Sequence, residues 1–163
     1  MSAFLQYVVN GLTSGAFLAL VALGYTMIYG VIRLINFAHG DVLMVGSFIG
    51  YEIVVTLVAQ HWPIAVIVLV ALLGGMAFTG VLGAVIERVA YQPLLNSSRL
   101  AILISALGVS LALEQAAQLI FGAGFSAYPS VLSNAGFSFA GAHASYVQAG
   151  MIGVSLLLML GLY

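Results

Sequence analysis

The chain has no cysteine and no lysine, and its charge is confined to three arginines and four carboxylates. Without cysteine there can be no disulfide and no thiolate metal site. A formal net charge of −1 leaves no basic patch for phosphates, which excludes nucleic acid as a partner. Charged residues make up 4% of the sequence, whereas a soluble domain needs about 25% to cover its surface. What fills the chain instead is apolar: 64% hydrophobic residues and a mean hydropathy of +1.24. Such a chain belongs in lipid.

The first 32 residues carry no charge, and Ile64 to Ile86 is a second uncharged run. Each exceeds the roughly 20 residues that a helix needs to cross the hydrocarbon. The expectation is an all-α polytopic transmembrane bundle: one transmembrane domain over 1–163, with four complete spans and a partial fifth. The spans are placed at about 7–32, 42–60, 64–86 and 100–121, with the last at 147–163. The N-terminus does not read as a cleavable signal, because it lacks a basic start and its apolar run is too long. His61-Trp62-Pro63 marks the turn between spans 2 and 3, with Trp62 as an interfacial anchor. Residues 122–147, rich in Gly, Ser and Ala, read as a loop or re-entrant excursion. The last span stops at Tyr163 as a truncated chain would.

Under this span count Arg33, Arg88 and Arg99 fall on one side of the membrane. The positive-inside rule makes that side cytoplasmic and places the N-terminus outside.

Small residues recur at helical spacing. Ala71, Gly75, Thr79 and Gly83 make one stripe on span 3, Gly11 and Gly15 (with Ala19) another on span 1, and Gly46 with Gly50 a third on span 2. Small side chains let helix backbones approach closely, which is how helices associate in lipid. No glycine loop is followed by Lys-Ser/Thr, so a phosphate-binding role for these glycines is set aside.

The polar residues stand out against this background. Asn36, His39 and Asp41 fall within six residues, and carboxylates in hydrocarbon are costly unless partnered (about 2.5–3.5 kcal/mol on translocon scales). Two readings compete. Asn36 or Asp41 could cap span 2 at the interface. Alternatively, the segment interrupts a membrane helix beside a translocation path, as broken helices do in transporters. Glu114 shares a helical face with Ala106, Ser110 and Gln118, with His39, Asn36 or Gln115 as its conceivable partners. It is either a path or interhelical residue or a partly hydrated helix end. Glu52 lies eleven residues after Asp41 and close to the same face, turned to the bundle or to another subunit. Glu87 and Arg88 read as interfacial anchors.

Hydrolytic chemistry finds no support. Ser47 lies near His39 and Asp41 in sequence but in no Gly-x-Ser-x-Gly elbow. His39, His61 and His143 have no ligand spacing, so no metal site is expected, and the chain does not read as an enzyme.

Several blocks are similar to one family. Asn10-Gly11-Leu12, Ala22-Leu23-Gly24-Tyr25-Thr26-Met27-Ile28-Tyr29-Gly30 and Ile35-Asn36-Phe37-Ala38-His39-Gly40-Asp41 resemble the permease of bacterial branched-chain amino acid ABC importers, of the LivH type. Ile86-Glu87-Arg88-Val89-Ala90-Tyr91-Gln92-Pro93-Leu94 and Leu103-Ile104-Ser105-Ala106-Leu107-Gly108-Val109-Ser110 extend the match in the same order. The resemblance implies a bacterial inner-membrane permease paired with a second, homologous permease subunit. Two cytoplasmic ATPase subunits and a periplasmic substrate-binding protein would complete the importer. ATP would be hydrolysed on the partner subunits, with no cofactor in this chain.

The resemblance also implies a substantially longer protein, whose second half docks on the ATPase. Gln92 and Leu95 stand where the family is often basic, Glu52 is outside the pattern, and Glu114 occupies a position often held by Gln. The reading is an importer permease for branched-chain amino acids or related small amides. Asn36, His39, Asp41 and Glu114 are its candidate path residues. Its rivals are a small ATP-independent channel and a non-transporting truncated membrane scaffold.

Overall fold

The computed structural model describes residues 2–32, 36–122, 124, 128–129, 136–139 and 142–161. Arg33, Ile35, much of the 122–147 segment and Tyr163 lie outside the described residues. The chain divides into two compact units, Met1–Val31 with Leu132–Tyr163, and Ile32–Val131.

The architecture is all-α, as the apolar runs predict. In the second unit α2 (His39–Ala59) is followed by α3 (Ile64–Ile86) and α4 (Arg99–Phe121). In the first unit α1 (Ser2–Ile32) is followed by two short strands and by α5 (Tyr146–Gly161). Among the described residues four helices are long and apolar enough to cross a membrane. At about 1.5 Å per residue the 16 residues of α5 cover about 24 Å.

The 122–147 segment contains an element that composition concealed. β1 (Gly136–Phe139) and β2 (Ala142–Ser145) pair antiparallel, with Gly136 opposite Ser145 and Phe139 opposite Ala142. The side-chain amide of Gln6 holds this pairing to α1. Its Oε1 accepts from the His143 N–H at 2.8 Å and its Nε2 donates to the His143 carbonyl at 3.1 Å. Farther along, Ser155 of α5 is buried and donates to the Ala16 carbonyl at 2.9 Å. A serine inside an apolar helix thus satisfies its hydroxyl on the neighbouring backbone.

In the second unit the α2–α3 turn closes α2 with a left-handed residue. His61 has φ 58°, the His61 N–H reaches Val58 O, and the Trp62 N–H reaches back to Leu57 O. This is a Schellman ending with Pro63 just beyond it, where the helix cannot continue. Trp62 stays about half exposed and donates to the Gln60 side chain at 2.9 Å.

Below the turn α2 and α3 pack through small residues. A Cβ on Gly46 would come within 2.5 Å of Thr79 Cγ2, and one on Gly75 would touch the Gly46 carbonyl at 3.5 Å. Thr79 cannot easily rotate away, because its hydroxyl is bonded to the Gly75 carbonyl at 2.8 Å. Gly50 faces the Tyr128 hydroxyl and the Ala71 carbonyl. Around Gly11, Gly15 and Gly83, by contrast, a Cβ would meet nothing within 4 Å among the described residues.

Gly46→Val is therefore expected to destabilise the protein by about 1–3 kcal/mol through overpacking. Gly83→Ala should be neutral or slightly stabilising, since alanine is the better helix former. Thermal unfolding in mild detergent compares the two. Equal effects would show that the α2–α3 approach is not the tight contact.

Candidate functional site

The helix that starts in α3 does not end as an α-helix. Glu87–Tyr91 forms a π-helical turn, in which the Gln92 N–H reaches Glu87 O, and Gln92–Leu94 tightens into a 3₁₀ turn. Pro93 gives the local reason: it has no N–H to offer the Val89 carbonyl, and its ring crowds that carbonyl. Widening to π geometry is one way a helix accommodates such a defect, and such turns are frequent at functional sites. The connection then runs to Ser98, whose hydroxyl caps α4 by accepting from the Ala101 N–H at 3.3 Å.

The π turn points Tyr91 into the unit. Tyr91 is 8% exposed and packs with Ile86, Ile102 and Ala106, with Val42 and Leu113 at the margin of the cluster. Its hydroxyl donates to Asn36 Oδ1 at 2.7 Å, and the same oxygen accepts from the Ala38 N–H at 3.1 Å. Ala38 is fully buried, so the chain enters α2 against packed neighbours.

Asp41 and Ser110 form the second polar junction. The Ser110 hydroxyl donates to Asp41 Oδ2 at 2.5 Å, joining α4 to the first turn of α2. A carboxylate in that turn also lies where the N-terminal helix dipole favours negative charge. A third tie completes the cluster: the Ser105 hydroxyl donates to the Ala90 carbonyl, inside the π turn, at 3.1 Å. Ser105 and Ser110 are five residues apart on α4, a rise of about 7.5 Å. The polar ties therefore span two levels of one apolar unit.

Geometry separates the residues singled out from sequence. Asn36 and Asp41 enter this cluster, and half-buried His39 is the first residue of α2. Neither Asn36 nor Asp41 caps α2. The helix starts at His39, three residues before the expected 42, and no side chain caps it. Asn36 Oδ1 is already committed to Tyr91 and Ala38, and Asp41 lies inside the helix. Glu114 sits one turn beyond Ser110 but is exposed. Its suggested partner Asn36 is bonded to Tyr91 instead. Glu52 is also exposed, although Asp41, close to the same helical face, is half-buried. Among the described residues no cluster of His and carboxylate groups could hold a metal.

Tyr91 and Ser105 were missed as site residues. A tyrosine two positions before Pro93 was the available signal, because a proline there disturbs the helix that aims the ring.

A second group surrounds Tyr128. Its hydroxyl donates to the Ser47 carbonyl at 2.6 Å, and its ring meets Tyr51 edge-on at 5.5 Å. Phe48 stacks on Phe121 with centroids 4.7 Å apart. These contacts fix the middle of α2 against the end of α4, where Gly122 takes a φ of 88° that other residues avoid.

Comparison with known proteins decides the family. The model for the branched-chain amino acid transport system permease component matches residues 7–163. The chain belongs to that permease family. It is 43% identical, over 98% of its length, to the high-affinity branched-chain amino acid transport system permease protein BraD of Pseudomonas aeruginosa. It is 42% identical, over 80% of its length, to the corresponding LivH proteins of Salmonella typhimurium and Escherichia coli. The match covers 53% of BraD and 42% of each LivH, so this permease chain spans about half the length of these curated relatives. No solved structure matches it. Family membership and the four long apolar helices among the described residues together make it a multi-pass membrane protein.

Ser110→Ala in this permease removes the hydroxyl bonded to Asp41 and should cost about 1 kcal/mol, in the range of interhelical hydrogen bonds in membranes. Ser110→Thr, which keeps the hydroxyl, should cost less. Unfolding in mild detergent measures both, and an alanine variant as stable as the parent would show that the bond contributes nothing.

Proposed function

We propose that this chain supplies membrane-spanning helices to the permease of an ATP-binding-cassette importer for branched-chain amino acids or related small amides. The observation that carries this reading is the 43% identity to a branched-chain amino acid permease over 98% of the chain. The arrangement of the second unit is compatible with it: polar groups enter an apolar unit where α2 begins, as broken helices do beside transport paths.

In this reading the chain sits in the bacterial inner membrane with its N-terminus on the periplasmic side. It pairs with a second, homologous permease subunit. Two cytoplasmic ATPase subunits hydrolyse ATP, and a periplasmic binding protein delivers substrate. Asn36, His39 and Asp41 line or position the path, with Glu114 at a separate and more exposed point. The chain performs no covalent chemistry. Its work is to hold polar groups in place while the surrounding helices move.

The test is uptake of labelled leucine by the intact permease assembled with its ATPase and binding protein. Asp41→Ala should lower uptake by roughly tenfold, the effect of losing one hydrogen bond to a charged group. Its abundance in the membrane should stay unchanged. Normal uptake, or loss of the protein from the membrane, would contradict the path reading. Flux through the chain alone in liposomes, without ATP, would favour a channel instead.

A further inference from the structure

We propose that the Glu87–Tyr91 π-helical turn is a two-register hinge, latched by the Tyr91–Asn36 hydrogen bond, that couples the 92–98 connection to the entry of α2. This does not rest on the transport reading. A π turn holds one residue more than the α turn it replaces. If the turn relaxes to α geometry, everything after it rotates by about 100° about the helix axis. The Tyr91 hydroxyl, now 2.7 Å from Asn36 Oδ1, is carried out of reach, and the Gln92 N–H gives up Glu87 O.

Isolated π turns are uncommon because they pack the backbone less well, so this one needs support from outside the helix. Two ties supply it, the Tyr91–Asn36 bond and the Ser105 hydroxyl on the Ala90 carbonyl. Both lie inside the register that changes. Interhelical hydrogen bonds in membranes are individually modest, so the latch can open without unfolding the unit. Opening at Tyr91 releases Asn36 at the same moment. Asn36 keeps the local bonds from the Ala38 N–H to its Oδ1 and from the His39 N–H to its carbonyl but loses its tie to the turn, so the approach to α2 loosens with it. A displacement of the 92–98 connection is in this way transmitted to the segment that contains His39 and Asp41.

Amide hydrogen exchange on the purified permease tests the coupling directly, whether or not that preparation transports. In the parent protein, exchange is followed across residues 36–42 and 87–95. Tyr91→Phe removes one hydroxyl and should raise exchange in both segments by about tenfold, as expected for loss of one buried hydrogen bond. Asn36→Ala should do the same, and by the same factor in both segments, because one opening event exposes them together. Asn36→Asp keeps the acceptor oxygen and should exchange like the parent. Increases confined to the mutated side would overturn the hinge. So would Asn36→Asp behaving like Asn36→Ala, or Tyr91→Phe leaving both segments unchanged.

Discussion

Inside a bilayer there is no water to satisfy a stray hydrogen-bonding group, so every polar atom an apolar helix carries must find its partner in the protein. Among the described residues of the second unit, three ties do this alongside the bond from Tyr128 to the Ser47 carbonyl. Asn36 takes Tyr91, Asp41 takes Ser110, and the Ala90 carbonyl takes Ser105. Together they join the start of α2, the end of the α3 helix and the middle of α4. The apolar cluster of Ile86, Tyr91, Ile102 and Ala106 fills the space they enclose. Among lipid tails apolar contact alone gives helices little reason to prefer one arrangement, whereas donors and acceptors do. The same polar residues that cost the chain free energy in lipid also determine how its helices meet.

The α2–α3 pairing is built on the complementary device. Gly46 and Gly75 bring the two backbones together, and Thr79 fits a site that would reject a larger residue at 46. Polar ties at its start and close approach one to two turns later make α2 the element to which its neighbours are referred. In the first unit Ser155 and Gln6 play the corresponding part, each bonded to backbone of another segment.

Much of this was legible in the sequence. The two uncharged runs, the first 32 residues and Ile64 to Ile86, coincide with α1 and α3, because the length of an apolar run that crosses lipid is set by the thickness of the bilayer. The cost of burying polar groups picked out Asn36 and Asp41. Other features were hidden for physical reasons. The strand pair lies in a Gly/Ser-rich stretch where the alternation of Gly136–Phe139 and Ala142–Ser145 is only four residues long in each strand, and a side chain 137 residues from His143, Gln6, braces it. The π turn has no hydrophobic period of its own, and only Pro93 hints at it. Glu114 shares a face with Ser110 yet is exposed, although Ala117 beyond it is buried and Phe121 stacks on Phe48. Sequence spacing gives a face but not which positions on it a neighbour covers.

The most direct measurement is proximity across α2 and α4 in the membrane. Residues 1–163 contain no cysteine, so the pair Asp41→Cys and Ser110→Cys can be introduced without internal interference, any further cysteines of the intact permease being replaced. Mild oxidation of membranes should join this pair efficiently, while the pair Glu52→Cys and Glu114→Cys should stay unjoined. Absence of the first cross-link, or equal yield from both pairs, would contradict an α2–α4 junction at Asp41 and with it the arrangement on which the site depends.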